Sequence, residues 1–408
     1  MNQNLEKLHQ YPFERLNNLL ADITPNPELD PIPLSLGEPK HAPPSFVLDY
    51  LSDKQALATH LATYPATRGV PELRSAITEW LAKRFQIRVD SESQVLPVNG
   101  TREALFSFAQ AVLSSPSATA GDTTTRPLPK VLTPNPFYQI YEGAAILGGA
   151  TPFYINNDPK RGYQQDFRQL QSEDWAATEL VYICSPGNPT GQVMPETQMA
   201  ELIELSLEHN FIIASDECYS EIYFDDEHPP TSLLGVSQSM GNLEYKNCVI
   251  FHSLSKRSNL PGLRSGFVAG DAEILSDYLL YRTYHGCAMS AHHQFASALA
   301  WRDEVHVQQN RDLYRQKFAI VEQILSQHFE VHTPQGGFYH WLDVGEDDAQ
   351  FARALMQDQH VKVVPGQYLA RDGGAGNPGA AHIRVAWVSE LERCQEAAER
   401  LLEFAKTR

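Results

Sequence analysis

Long hydrophobic runs are missing from this chain. No stretch of its 408 residues approaches the roughly 20 apolar positions that a membrane-spanning helix needs. The opening MNQNLEKLHQYPFERLNNLL alternates charged with apolar side chains and lacks the apolar centre of a signal peptide. Cysteine is scarce: Cys184, Cys218, Cys248, Cys287 and Cys394 are the five present, an odd number without CxxC spacing. That scatter argues against a disulfide framework and against a structural metal, and for reduced thiols in a cytoplasmic compartment. Positive charge is also short, with 32 Lys and Arg against 50 Asp and Glu, a formal net charge of −18. Such a balance disfavours nucleic acid and anionic membranes as partners. Anionic small molecules stay open, because a Debye length of about 8 Å screens the distant field and lets a few arginines dominate inside a cleft. No internal repeat is present.

What the chain does have is 42% hydrophobic residues, enough for a large core, in a pattern of short apolar runs alternating with helical periodicity. SQVLPV (93–98), KVLTP (130–134), ATPFYI (150–155), ELVYICSP (179–186), FIIASDE (211–217), NCVIFHSL (247–254) and GFVAG (266–270) read as strands. TREALFSFAQAVL (101–113) and PETQMAELIELSLEHN (195–210) read as helices between them. This is the signature of an α/β fold, a mainly parallel sheet covered on both faces, whose ligands bind at the carboxyl ends of the strands. The last third changes style. FEVHTPQGGFYHWLDV (329–344), VKVVPG (361–366) and HIRVAWV (382–388) read as strands beside the helix LERCQEAAERLLEFAKT (391–407), a smaller α+β unit joined after a long helix near residue 310. Residues 114–130, rich in Ser, Thr, Ala and Pro, read as a surface loop.

Several strand ends carry chemistry. Ser253-Leu254-Ser255-Lys256, with Arg264 eight positions on, brings two hydroxyls and a guanidinium near one amine. A phosphorylated aldehyde asks for such a set, although a solvated turn would use the same residues. Asp216 closes an apolar strand, where a carboxylate can pair with a protonated ring nitrogen, and Tyr219 comes three positions later. The run Ser185 to Gly191 is turn-forming and sets the amide of Asn188 just past another strand. Gly100-Thr101-Arg102 opens a helix, a ready phosphate site or a simple cap. Tyr138 can stack on a flat ring. Arg384 interrupts the apolar strand HIRVAWV, so it meets either a buried carboxylate or a substrate's.

The order of these motifs, from LSLGEP at Ser35–Pro39 to HIRVAW, resembles class I/II aminotransferases of fold type I, which use pyridoxal 5′-phosphate (PLP). The resemblance implies a large domain with a mainly parallel seven-stranded sheet sandwiched by helices, plus a smaller α+β domain. It implies an N-terminal arm and part of the small domain at 1–50, the cofactor domain at 51–290, and a connecting helix with the remaining small domain at 291–408. Lys256 is then the residue that forms an imine with PLP, Asp216 bonds the pyridine nitrogen, and Asn188 and Tyr219 bond the phenolic oxygen. Gly100, Thr101, Arg102, Ser253, Ser255 and Arg264 take the phosphate and Tyr138 stacks on the ring. Tyr64 reaches the phosphate from the partner of a homodimer. Gly37, Asn188 and Arg384 contact the substrate, Arg384 gripping its α-carboxylate. No metal is implied.

Three longer strings, YPFERLNNLLA, ASDECYSEIYFD and SLSKRSNLPGLRSGFVAGD with YRTYHGCAMS, resemble the bacterial succinyldiaminopimelate subgroup. The implied reaction moves an amino group between glutamate/2-oxoglutarate and N-succinyl-2-amino-6-oxopimelate, in lysine and diaminopimelate biosynthesis. Both partners are multiply anionic, so a second cation beyond Arg384 is expected, with Arg282 and Arg68 as candidates. The same site residues serve an aspartate or other amino-acid aminotransferase, or a PLP-dependent lyase. A DNA-binding regulator conflicts with the acidic charge, and a degenerate scaffold conflicts with the complete set of ring and phosphate contacts.

Overall fold

A computed structural model of the chain describes residues 1–114, 128–374 and 376–408. Its main sheet has the strand order Val95–Val98, Gly266–Gly270, Cys248–Ser253, Ile212–Asp216, Thr178–Cys184, Lys130–Asn135, Thr151–Asp158 and Gln164–Gln165. From the Cys248 strand to the Thr151 strand every pairing is parallel. The Gly266 strand runs antiparallel to both its neighbours. All seven expected strands are present, and a two-residue antiparallel edge strand, Gln164–Gln165, makes an eighth.

Alternation along each central strand explains why both faces are covered. Ile183, Ile213 and Ile250 point to one side, into a core with Leu73, Trp80 and Trp301 from the helices Pro71–Phe85 and Ala291–Arg302. Their neighbours Tyr182, Ala214 and Phe251 point to the other side, against Leu105, Phe108 and Tyr278 from Thr101–Val112 and Ala272–His285. Each large apolar side chain withdrawn from water in this way contributes about 1.5–3 kcal/mol.

The chain's two ends share a second packing centre. Strand Tyr339–Asp343 pairs antiparallel with His382–Ala386, which also pairs with Val364–Pro365. Ile32–Pro33 runs parallel to Val361–Lys362. The helices Val305–Leu325 and Leu391–Lys406 bury Phe318, Val321, Leu401 and Phe404 against them.

Two strands differ from the sequence reading. Of residues 329–344 only Tyr339–Asp343 are strand. Pro334 lacks a backbone donor and Gly337 sits at φ +88. The amides of Gly336 and Gly337 bond instead to the carbonyls of Gly191 and Ile222. The run 361–366 splits at Val363 and serves both small sheets. The expected loop at 114–130 lies mostly outside the described residues, and Lys130 belongs to a strand. No helix among the described residues is long and apolar enough to cross a membrane.

Candidate active site

Five strands of the main sheet end on the same edge, and each hands a functional residue to one cavity of about 460 Å³. After Ser253 the chain makes a single helical turn, Leu254–Arg257, capped by the Ser253 hydroxyl, which accepts the Ser255 N–H at 3.1 Å. That turn aims Lys256 into the cavity. Its Nζ donates to the Gly37 carbonyl and lies 5.2 Å from the centre of the Phe338 ring. Burial pushes the Lys256 ammonium down to about 8, helped by the charge of Arg384 and opposed by Cys218, Glu38 and Asp216.

Asp216 ends the neighbouring strand and is 4% exposed. The Tyr141 hydroxyl donates to its Oδ2 at 2.7 Å, and the Cys218 N–H to its Oδ1 at 3.3 Å. No cation pairs with it among the described residues. Burial raises its pKa, while the bonds from Cys218 and Tyr141 work to lower it. Tyr219, on the next turn, is buried with its hydroxyl 2.9 Å from that of Tyr339. Tyr138 lines the same cavity, edge-on to Tyr141 with ring centres 5.8 Å apart.

At the opposite end Gly100 precedes the helix Thr101–Val112 with φ +82 and ψ 154, a region open only to glycine. A side chain there would strike the Arg264 guanidinium. Among the described residues Arg264 donates only to carbonyls, of Pro261 at 2.8 Å and Asn99 at 3.3 Å. The Ser253 and Ser255 hydroxyls, 2.9 Å apart, and Thr101 complete this end.

Arg384 is 4% exposed and meets no carboxylate among the described residues. It donates to Asn188 Oδ1 at 3.0 Å and to the Ser35 carbonyl at 2.7 Å, lies 4.5 Å from the centre of the Tyr339 ring, and leaves Nε without a partner. Of the two meanings of an arginine in that strand, a pairing with a buried carboxylate is not found among the described residues. Gly37 faces Tyr339, whose hydroxyl occupies the place of any added side chain.

Of the cofactor and substrate residues named from sequence, leaving aside the two candidates for a second cation, all but Gly100 and Tyr64 line the cavity, and Gly100 abuts its wall through Arg264. Tyr64 is fully exposed and lies apart from it. The two candidates for a second cation do not line it either. Arg282 is completely buried, with Nη1 at 2.8 and 2.9 Å from the two Glu103 oxygens, so its charge is already matched. Arg68 donates to the Glu92 carbonyl. The arginine that does line the cavity, besides Arg264 and Arg384, is Arg102, whose guanidinium lies 5.3 Å from the centre of the Tyr11 ring and has no carboxylate partner among the described residues. Sequence reading puts Arg102 with the phosphate set and passes over Tyr11, Tyr141, Cys218 and Tyr339. Only the repeat of tyrosine at 138 and 141 hints at one of them.

Chemically, the cavity offers an amine of depressed basicity, a buried carboxylate without a cation, and three guanidiniums without carboxylates. This set fits PLP and an amino acid: a protonated ring nitrogen suits the carboxylate, and a phosphate suits a helix start beside Arg264.

Comparison with known proteins agrees. Residues 30–401 match the family model "Aminotransferase class I and II". An aminotransferase from Neisseria meningitidis superposes with a TM-score of 0.92 at 46% identity, over 99% of each chain. An LL-diaminopimelate aminotransferase from Desulforudis audaxviator is 27% identical over 97% of this chain and 96% of its own. The transaminase OxyQ of Streptomyces rimosus, named for 4-dedimethylamino-4-oxo-anhydrotetracycline, is 31% identical over 97% of this chain and all of its own. The cavity and these likenesses lead to one conclusion: the chain belongs to the class I and II aminotransferases and is a PLP-dependent transaminase.

Proposed function

We propose that this transaminase moves an amino group between glutamate/2-oxoglutarate and N-succinyl-2-amino-6-oxopimelate. The observation that carries an anionic amino-acid substrate is Arg384, a buried guanidinium bonded among the described residues only to Asn188 and a carbonyl and facing the Lys256 cavity. A bidentate α-carboxylate satisfies such a group better than any neutral ligand.

The cofactor's residues are assigned by the same chemistry. Lys256 would anchor PLP covalently, Asp216 would pair with its ring nitrogen, and Asn188 and Tyr219 with its phenolic oxygen. Tyr138 would stack on the ring, while Ser253, Ser255, Arg264 and the backbone amides of the helix start at Gly100–Arg102 would hold the phosphate. When bound, PLP supplies an electron-withdrawing ring that makes the substrate Cα–H acidic. Arg384 and Asn188 orient the substrate so that this hydrogen faces Lys256. Lys256 Nζ, set free when the substrate's amino group takes its place on the cofactor, would take the Cα proton.

Support for a substrate with a second anionic end comes from Arg102 at the cavity wall, and from relatives named LL-diaminopimelate aminotransferases. The OxyQ likeness supports a second reading, an aminotransferase for another keto substrate. We further propose a cytoplasmic homodimer, supported by five free cysteines and by the exposed Tyr64, with the segments 1–50, 51–290 and 291–408 as its structural divisions.

The test is to follow 2-oxoglutarate release and amino transfer from glutamate with three acceptors: N-succinyl-2-amino-6-oxopimelate, the keto acid of unsuccinylated diaminopimelate, and an apolar keto acid. The succinylated compound should lead in kcat/KM by about a hundredfold, roughly 2.7 kcal/mol. Equal or inverted values would discard the succinyl assignment.

A further inference from the structure

The carbonyls of Lys256 and Arg257 close a one-turn helix and have no partner within it. Their partner comes from the long helix Val305–Leu325, where the buried Asn310 donates through Nδ2 to both, at 3.2 and 3.4 Å. Asn310 Oδ1 accepts from Asn259 at 3.0 Å and lies 2.7 Å from His41 Nδ1. The other ring nitrogen of His41 is 2.6 Å from Lys317 Nζ. An ammonium donates and cannot accept, so Nε2 is the lone-pair nitrogen and Nδ1 carries the hydrogen that Asn310 receives. Burial together with the Lys317 charge pushes the His41 pKa below its ordinary value, against the bond to Asn310 and the charge of Glu390.

His41 stands at the end of the segment that begins at Ser35, and within this segment the Gly37 carbonyl accepts the Lys256 amine. One stretch of chain therefore grips Lys256 twice. It holds the amine through Gly37, and the backbone through His41 and Asn310. Lys317 has no ion-pair partner among the described residues, its hydrogen bond runs to His41 alone, and it is 2% exposed. An unpaired buried charge costs several kcal/mol that an apolar side chain would avoid, which argues that the ammonium serves a purpose beyond packing.

We propose that Lys317, His41 and Asn310 are positioning residues for Lys256. Lys317 fixes the tautomer of His41, His41 fixes the orientation of the Asn310 amide, and Asn310 holds the turn that aims the lysine. The inference rests on the role proposed above for Lys256.

The test uses the PLP-loaded enzyme and two variants. Asn310→Asp keeps the size and the acceptors facing His41 and Asn259 and removes both donors to the Lys256 turn. Lys317→Met keeps the bulk and removes the charge. Each should lower kcat by about tenfold with KM for glutamate changed by less than about threefold. Each should also move the pH at which the bound cofactor's visible absorbance titrates, which a loss of stability alone leaves in place. Wild-type kcat and an unmoved titration in Lys317→Met overturn the proposal, even if Asn310→Asp does not fold. Lys256→Ala separates the two readings: sustained turnover in that variant removes the role of Lys256 itself, whereas its inactivity beside normal behaviour of the other two removes only the positioning claim.

Discussion

The behaviour of Lys256 is set by its surroundings rather than by its type. Burial lowers its pKa from an ordinary 10.5 to about 8, so at pH 7 roughly a tenth of the amines are neutral, against about one in three thousand for an unperturbed lysine. Only the neutral amine attacks an aldehyde. The rate at which cofactor-free protein captures PLP should therefore climb with pH and level off above about 8, as read by stopped-flow absorbance; a midpoint near 10.5 would contradict the environment of the amine. Arg384 makes a second residue-scale prediction. Its replacement by alanine should weaken capture of glutamate by about 2–5 kcal/mol, read as kcat/KM, because the substrate carboxylate loses its buried partner. Lysine at that position should recover little of the loss, since a point charge cannot reproduce the fork that spans Asn188 and Ser35.

Among the elements, the start of the helix Thr101–Val112 is the most constrained. Gly100→Ala sets a side chain against Arg264 and forces alanine into a glycine-only conformation, a strain of about 1–3 kcal/mol. PLP affinity, measured by absorbance titration, should fall by roughly ten- to a hundredfold, with Gly100→Ser failing alike. This element also marks what the sequence can reveal. Strands with continuous apolar runs and caps at their ends are readable, and with them the places of Lys256, Asp216, Asn188 and Gly100 just past strand ends, because short-range patterning decides where a strand stops; the roles proposed for these residues come from the family resemblance. The direction of a long side chain is not readable. Its place on the helix groups Arg102 with the phosphate contacts, yet its guanidinium packs on Tyr11 from the N-terminal segment. Arg282 reads as a substrate cation, yet Glu103 from a distant helix claims it. Tyr141 and Tyr339 become visible only once folding brings them to Asp216 and Tyr219. Pro334 and Gly337 stand in the run 329–344, but hydrophobic alternation around them masks the break.

For the whole molecule, the sharpest expectation concerns assembly. Tyr64 is fully exposed on a chain whose cavity it does not line, and the proposed dimer has it completing the neighbour's phosphate site. Tyr64→Ala should loosen PLP by about 1.5–3 kcal/mol, the worth of a hydrogen bond to a charged group. Mixing Tyr64→Ala chains with inactive Lys256→Ala chains should then restore cofactor affinity at one site of each hybrid, because one partner supplies the lysine and the other the tyrosine. No recovery on mixing would mean that Tyr64 acts within its own chain or has no part in the site.

The bond from Arg384 to the Ser35 carbonyl spans 349 positions, and Ile32–Pro33 finds its strand partner only at Val361–Lys362. On a ribosome adding about 5–20 residues per second, the opening segment must wait on the order of 15 to 65 s for those partners to emerge. Until then Ile32 and Leu34, both fully buried in the finished enzyme, face solvent. The bond between Arg384 and Ser35 cannot exist in a nascent chain, and any shelter the newborn protein requires will be needed at its first fifty residues.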